Sequence, residues 1–202
     1  MVASAPEINS MNNAFLVSTG VVALGEIGDK TQLLAVVLAA RYHRPGLICL
    51  GILIATLANH LLAGAVGLVV ADLLNPTTLE WVLGVSFVLM AGWLLIPDKL
   101  DEDPKPLHGL GVLATTIVMF FLAEMGDKTQ IATMALAARY DSIAMVVAGS
   151  TLGLMLADVP AVYFGAKAAT RLPLKLVHGI AAALFAGIGL LSLASAAGLI
   201  WA

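Results

Sequence analysis

Six apolar stretches, each 17 residues or longer, follow one another with only short polar breaks between them. They run from Ala14 to Ala40, Gly46 to Val70, Glu80 to Ile96, Gly109 to Ala138, Ser142 to Ala169 and Leu176 to Ile200. A helix crosses a bilayer with roughly 20 predominantly apolar residues. Inside lipid the backbone is satisfied only by helices or closed barrels. The chain is 60% hydrophobic and 11% charged, whereas about 25% charged is ordinary for a soluble domain. So few charges cannot cover so large an apolar interior in water. The expected fold is an all-α integral membrane protein with six transmembrane helices. The net charge of -3 provides no basic stripe, so nucleic acid is not an expected partner. A lone cysteine, Cys49, supplies neither a disulfide nor a thiolate metal site. Residues 1–13 hold no Lys or Arg, so the first apolar run is expected to be a retained span and not a cleaved leader.

The chain is a duplication. Leu24 to Tyr42 reads LGEIGDKTQLLAVVLAARY and Leu122 to Tyr140 reads LAEMGDKTQIATMALAARY, identical at 12 of 19 positions at an offset of 98. The same offset pairs Gly51 with Gly149, His60 with Asp158, and Glu80 with His178. Residues 1–96 and 109–202 are thus expected to be two three-helix repeats, separated by an acidic linker at 97–108. Three spans is an odd number, so the second repeat must enter the membrane inverted. Inverted repeats of this kind place a substrate site near the midplane in secondary transporters. Charge sets the orientation: Arg41, Arg44, Lys99, Lys105, Lys167, Arg171 and Lys175 fall on the linker side, against Arg139 alone on the other. By the positive-inside rule the linker is cytoplasmic and both termini face out.

Within the first and fourth spans sits Glu-x-Gly-Asp-Lys-Thr-Gln, at Glu26 to Gln32 and Glu124 to Gln130. One charged residue at mid-bilayer costs at least about 2.5–3.5 kcal/mol on insertion scales, and each span carries three. In a regular helix Glu26 and Asp29 share a face, and Lys30 stands four residues beyond Glu26 in the favourable order for an ion pair. Gly28 allows close helix approach or a local break. Thr31 points elsewhere unless the helix is interrupted. Brought together about a pseudo-two-fold axis, Glu26, Asp29, Glu124 and Asp127 would form a carboxylate cluster joined by amide and hydroxyl oxygens. Lys30 and Lys128 reduce its formal charge from -4 to -2, matching one divalent cation. Oxygen ligands suit Mg²⁺, Ca²⁺ or Mn²⁺. Crowded carboxylates also compete for protons when no metal is bound, the physical basis of antiport. A purely structural salt-bridge reading needs one acid per base, whereas each motif has two acids for one lysine.

Secondary candidates for proton coupling or site support are Asn59 and His60 in the second span, with Asp158 at the matched place in the fifth, just before Pro160. Gly64, Gly67, Gly149 and Gly153 are expected to let helices pack closely. Arg41-Tyr42 and Arg139-Tyr140 are expected to anchor span ends at the interface. His43, His108 and His178 are expected to be solvated at loops or span ends.

The doubled Glu-x-Gly-Asp-Lys-Thr signature, in two three-span halves around an acidic linker, resembles the GDT-type cation/proton antiporter family. The resemblance covers essentially the whole chain. It implies that Glu26, Asp29, Glu124 and Asp127 are metal-binding acids, that Thr31 and Thr129 are motif hydroxyls, and that Gln32 and Gln130 extend both matches. It further implies proton-coupled export of Mn²⁺, with Ca²⁺ as the other cargo, and no prosthetic group. The short linker and the N-terminus without a transit sequence look more like a bacterial plasma-membrane protein than an organellar one. Among rivals, an intramembrane aspartyl protease would need a Gly-x-Gly-Asp motif, absent from both copies. A lipid-phosphate phosphatase would need arginines near its acids. A channel would need weaker binding than a deep carboxylate cluster gives. A cysteine introduced at position 3 is expected to react with an impermeant reagent from outside the cell; labelling only from the cytoplasmic side would overturn this topology.

Overall fold

The structure, a computed structural model, describes residues 5–96, 111–140, 142–165 and 174–200, with side chains from residue 11 onward. The acidic linker expected at 97–108 lies outside the described residues. Every secondary-structure element among the described residues is helical: α1 Ala5–Glu26, α2 Lys30–Tyr42, α3 Pro45–Leu73, α4 Pro76–Leu94, α5 Val112–Glu124, α6 Lys128–Arg139, α7 Ile143–Phe164 and α8 Leu174–Ala196. Four of them, α3, α4, α7 and α8, are long and apolar enough to cross a membrane; α5 is apolar but only 13 residues long.

The first and fourth apolar runs, read from the sequence as candidate single helices, are each broken in two. The break has the same chemistry both times. The Asp29 N–H bonds the Glu26 carbonyl at 3.0 Å and the Asp127 N–H bonds the Glu124 carbonyl at 3.0 Å, each closing a four-residue turn. Met125 at φ -65°, ψ 116° and Gly126 at φ +77° are the central residues of a type II turn, which requires positive φ at its third position. Gly28 adopts φ +86° in the first copy. Asp29 and Asp127 then take extended conformations and start α2 and α6 as N-cap residues. Three residues on, a glutamine reaches back over the turn. The Gln32 Oε1 accepts the Gly28 N–H at 3.0 Å, and the Gln130 Oε1 accepts the Gly126 N–H at 2.6 Å. This is a capping box displaced by one residue. It satisfies in place a backbone donor that the break would otherwise leave without a helical partner.

Packing partners are exchanged between the halves. α3 lies along α5 and α6, while α7 lies along α1 and α2, so each half's long helix supports the other half's broken one. Glycines set the spacing. A side chain at Gly51 would strike Thr116 of α5 at 2.7 Å, and one at the matched Gly149 would strike the Phe15 carbonyl of α1. Gly67 and Gly153 face α6 and α1 in the same way, and Gly64 faces Ile143 and Val147 of α7, as their spacing suggested. α4 and α8 form a separate close pair. Gly84 and Gly189 put their backbones in contact, and the Phe87 and Phe185 rings stack at a tilt with centroids 5.9 Å apart.

The two turn glycines differ in surroundings, which makes them a test of the break. Gly126→Ala meets open space and should lose only the backbone penalty, about 1–2 kcal/mol. Gly28→Ala must in addition displace Leu174 and His178, at 3.0 and 3.2 Å, and should destabilise more. Thermal unfolding of the detergent-solubilised variants measures the difference; equal losses would contradict the packing described for α8.

Candidate metal site

The two turns bring the duplicated motifs face to face. Glu26, Asp29, Glu124 and Asp127 are each 2% exposed or less. Each lysine passes over the acids of its own motif and pairs with the aspartate of the other half. Lys30 Nζ lies 2.7 Å from Asp127 Oδ1, and Lys128 Nζ lies 3.3 Å from Asp29 Oδ1. The helical spacing favoured a Lys30–Glu26 pair; the turn at Ile27 and Gly28 removes it, because Lys30 no longer stands one turn above Glu26. The same turn explains Thr31. Its hydroxyl donates to Glu26 Oε1, and the Thr129 hydroxyl donates to Glu124 Oε2 at 3.1 Å. Residues five apart on an unbroken helix would not meet in this way.

These contacts leave one oxygen of each glutamate, Glu26 Oε2 and Glu124 Oε1, buried without a hydrogen-bond partner. Burying an unpartnered carboxylate oxygen is costly, and such groups call for an explanation. Glu26, Glu124 and Asp127 each offer a carboxylate oxygen, and the three atoms lie within 4.8 Å of one another. That is the spread of ligands around a single hard cation, for which oxygen donors are the natural set. The fourth acid, Asp29, is held by Lys128.

Asp158, on α7, adds a fifth carboxylate. It is fully buried, both its oxygens lack hydrogen-bond partners, and it lies within electrostatic reach of Glu26 and Glu124. α7 runs on through Pro160, two residues past Asp158. Next to Asp158, the Ala157 carbonyl accepts from Gln32 Nε2 at 3.0 Å. In the matched contact, Gln130 Nε2 donates to Asn59 Oδ1 at 3.4 Å, and Asn59 Nδ2 donates to the Phe121 carbonyl at 3.0 Å. Both glutamines therefore lock a turn to the long helix of the opposite half. His60 does not join the carboxylates. Its Nδ1 meets the hydroxyl of Ser150 at 2.9 Å and that of Thr151 at 3.4 Å, tying α3 to α7.

Two contributors were not apparent in the sequence. His178, expected to be solvated, is half-buried, with its Nε2 2.8 Å from the Ile27 carbonyl at the first turn. Trp93 lies under Lys128, with Nζ 5.9 Å from the ring centroid. The offset pairs His178 with Glu80 and Trp93 with Leu191, so the duplication carried no matching residue that would have marked either one.

The family described as Divalent cation/proton antiporter GDT1 matches residues 14–102 and 112–199, one segment in each half. A Vibrio cholerae protein named "Putative manganese exporter" is 52% identical over 170 residues, covering 84% of each chain. A GDT1-like protein of Synechocystis is 30% identical over 87% of this chain and 94% of its own. A GDT1-like protein 3 of Arabidopsis thaliana is 26% identical over 91% of this chain and 71% of its own. No solved structure matches. By the family match over both halves, the chain is an integral membrane protein of the GDT1 family of divalent cation/proton antiporters.

Proposed function

We propose that this protein exports Mn²⁺ from the cytoplasm in exchange for protons, by alternating access around a site shared between two inverted three-helix repeats. The observation that carries this reading is the convergence of Glu26, Glu124 and Asp127, one acid from the first half and two from the second, with unpartnered glutamate oxygens between them. The name of the Vibrio cholerae relative supports Mn²⁺ as the cargo; Ca²⁺ shares the oxygen-ligand chemistry and is the second candidate. Thr31 and Thr129 orient the glutamates, and their hydroxyls are further oxygen donors to the ion. Gln32 and Gln130 cap the turns and hold them to the opposite half, and Asn59 and His60 brace the helices behind them.

In this reading each broken span is α1 with α2, or α5 with α6, giving six spans in all. The ion sits where the half-helices meet, as in transporters built on discontinuous helices. The cytoplasmic linker and outward termini follow from the charge bias. Counting Asp158, five acids face two lysines, a formal charge of -3. One divalent cation leaves one negative charge for a proton, and Asp158 is the proton carrier because it stands outside the three-acid cluster and neither lysine is paired to it. When the metal leaves, protons take its place on the glutamates, so the site alternates between cargo and counter-ion.

The lysine pairs also weigh against a purely structural role. Each lysine is matched by one aspartate, and both glutamates are left over with no base. In proteoliposomes, an imposed pH gradient is expected to drive Mn²⁺ movement with opposite proton flux. Glu26→Gln should reduce it by more than tenfold while the protein still inserts and folds, and Asp127→Asn should reduce it as far while also losing stability because Lys30 is left without its partner. Mn²⁺ flux indifferent to the pH gradient would indicate a uniporter, and wild-type rates in both variants would remove the site.

A further inference from the structure

α4 and α8 pack chiefly on each other and meet the rest of the protein mainly through α1 and α6, with a smaller contact between α4 and α3. These are the two half-helices lying on one side of the turns; α2 and α5 lie on the other. Two apolar cavities, of about 430 Å³ and 60 Å³, open along this seam, the larger between α1, α6 and α8 and the smaller between α3, α4 and α6. The pair is tightly built internally and loosely fitted to its support.

Its placement makes the site one-sided. At the first turn, Leu174 and His178 cover Gly28, and Leu94 lies over Gly25, 3.8 Å from where a side chain would stand. At the second turn a side chain at Gly126 would meet nothing within 4 Å, and Met125 is 55% exposed. The lysines follow the same rule: Lys128 is 5% exposed beneath Trp93, whereas Lys30 is 31% exposed.

We infer that α4 and α8 move as one gate, and that polar contacts present on only one side hold the protein in the conformation described. The inference rests on the inverted-repeat reading above. Exchanging the halves moves the gate from α1 and α6 onto α5 and α2, which opens the first turn and covers the second. Three contacts latch the gate in its present place: His178 with the Ile27 carbonyl, Arg139 with Glu80 at 3.7 Å, and Arg139 with Ser192 at 2.6 Å. The offset of 98 gives their counterparts after exchange. Glu80 would face the Met125 carbonyl, acceptor against acceptor. Arg41 would face His178 and Leu94, which offer it no carboxylate or hydroxyl. Trp93 over Lys128 would become Leu191 over Lys30. None of the present attractions is reproduced, so the two conformations are unequal by sequence. His178 and Arg139 act as gate-positioning residues and do not touch the ion.

Thiol labelling in a Cys49→Ser background tests this without any transport. Met125→Cys should react with an impermeant maleimide from the linker face of the membrane. Gly25→Cys, lying beneath α4, should react from neither face. Adding His178→Leu should raise Gly25→Cys labelling from the opposite face at least about fivefold, the population shift expected from losing one hydrogen bond of ordinary net strength. Arg139→Gln should act in the same direction through a different contact, so the test survives if one variant misfolds. Gly25→Cys labelling unchanged by both variants, or already rapid in the parent, would overturn the gate. Labels that respond in a protein without Mn²⁺ flux would overturn the cargo alone; intact flux with unresponsive labels would overturn the gate alone.

Discussion

Lys30 and Lys128 are buried or half-buried amines in a chain with few charges, and neither finds its partner within its own repeat. Each reaches the aspartate of the other. Truncating one member of such a pair leaves an uncompensated charge in an apolar interior, which is far worse than losing the attraction itself. The two halves are therefore held in one register, and the other features of the centre follow from it. With the aspartates engaged by lysines, the glutamates are left to the threonines on one side and to one another on the other. Nothing in this arrangement works unless the helices break, because only the turn lets a threonine meet the glutamate five residues before it.

The break illustrates how local chemistry and long-range chemistry divide the work. Gly28 and Gly126 permit the positive φ, Asp29 and Asp127 start the new helices, and Gln32 and Gln130 close the turns from within the same segment. All of these lie within seven residues of sequence. What aims the broken ends at each other comes from elsewhere, from α3 and α7 packed through glycine onto the opposite half.

That division also decides what could be read from residues alone. Apolar run lengths located α3, α4, α7 and α8 to within a few residues at most ends, since hydropathy depends on nothing beyond the chain itself. The motif glycine carried the signal for a break, and the sequence left that possibility open. Lys30's true partner was not legible, because Asp127 lies 97 positions away and the helical spacing offered Glu26 as a nearer choice. Asp158 stood out as an acid in an apolar run. His178 did not, because a histidine near a span end looks the same whether it meets water or a carbonyl on another helix. The linker, where a charge reading was most specific, lies outside the described residues.

Reciprocal pairing also bears on ancestry. One half alone would carry its lysine and two acids into the membrane without the partners that neutralise them. A single three-helix chain inserted in both orientations, however, would present each copy with the aspartate and lysine of its twin. An antiparallel homodimer could thus have assembled the whole centre before any duplication joined the halves. Joined in one chain, the copies are free to differ, as they do where His178 stands at the position that Glu80 holds in the other half.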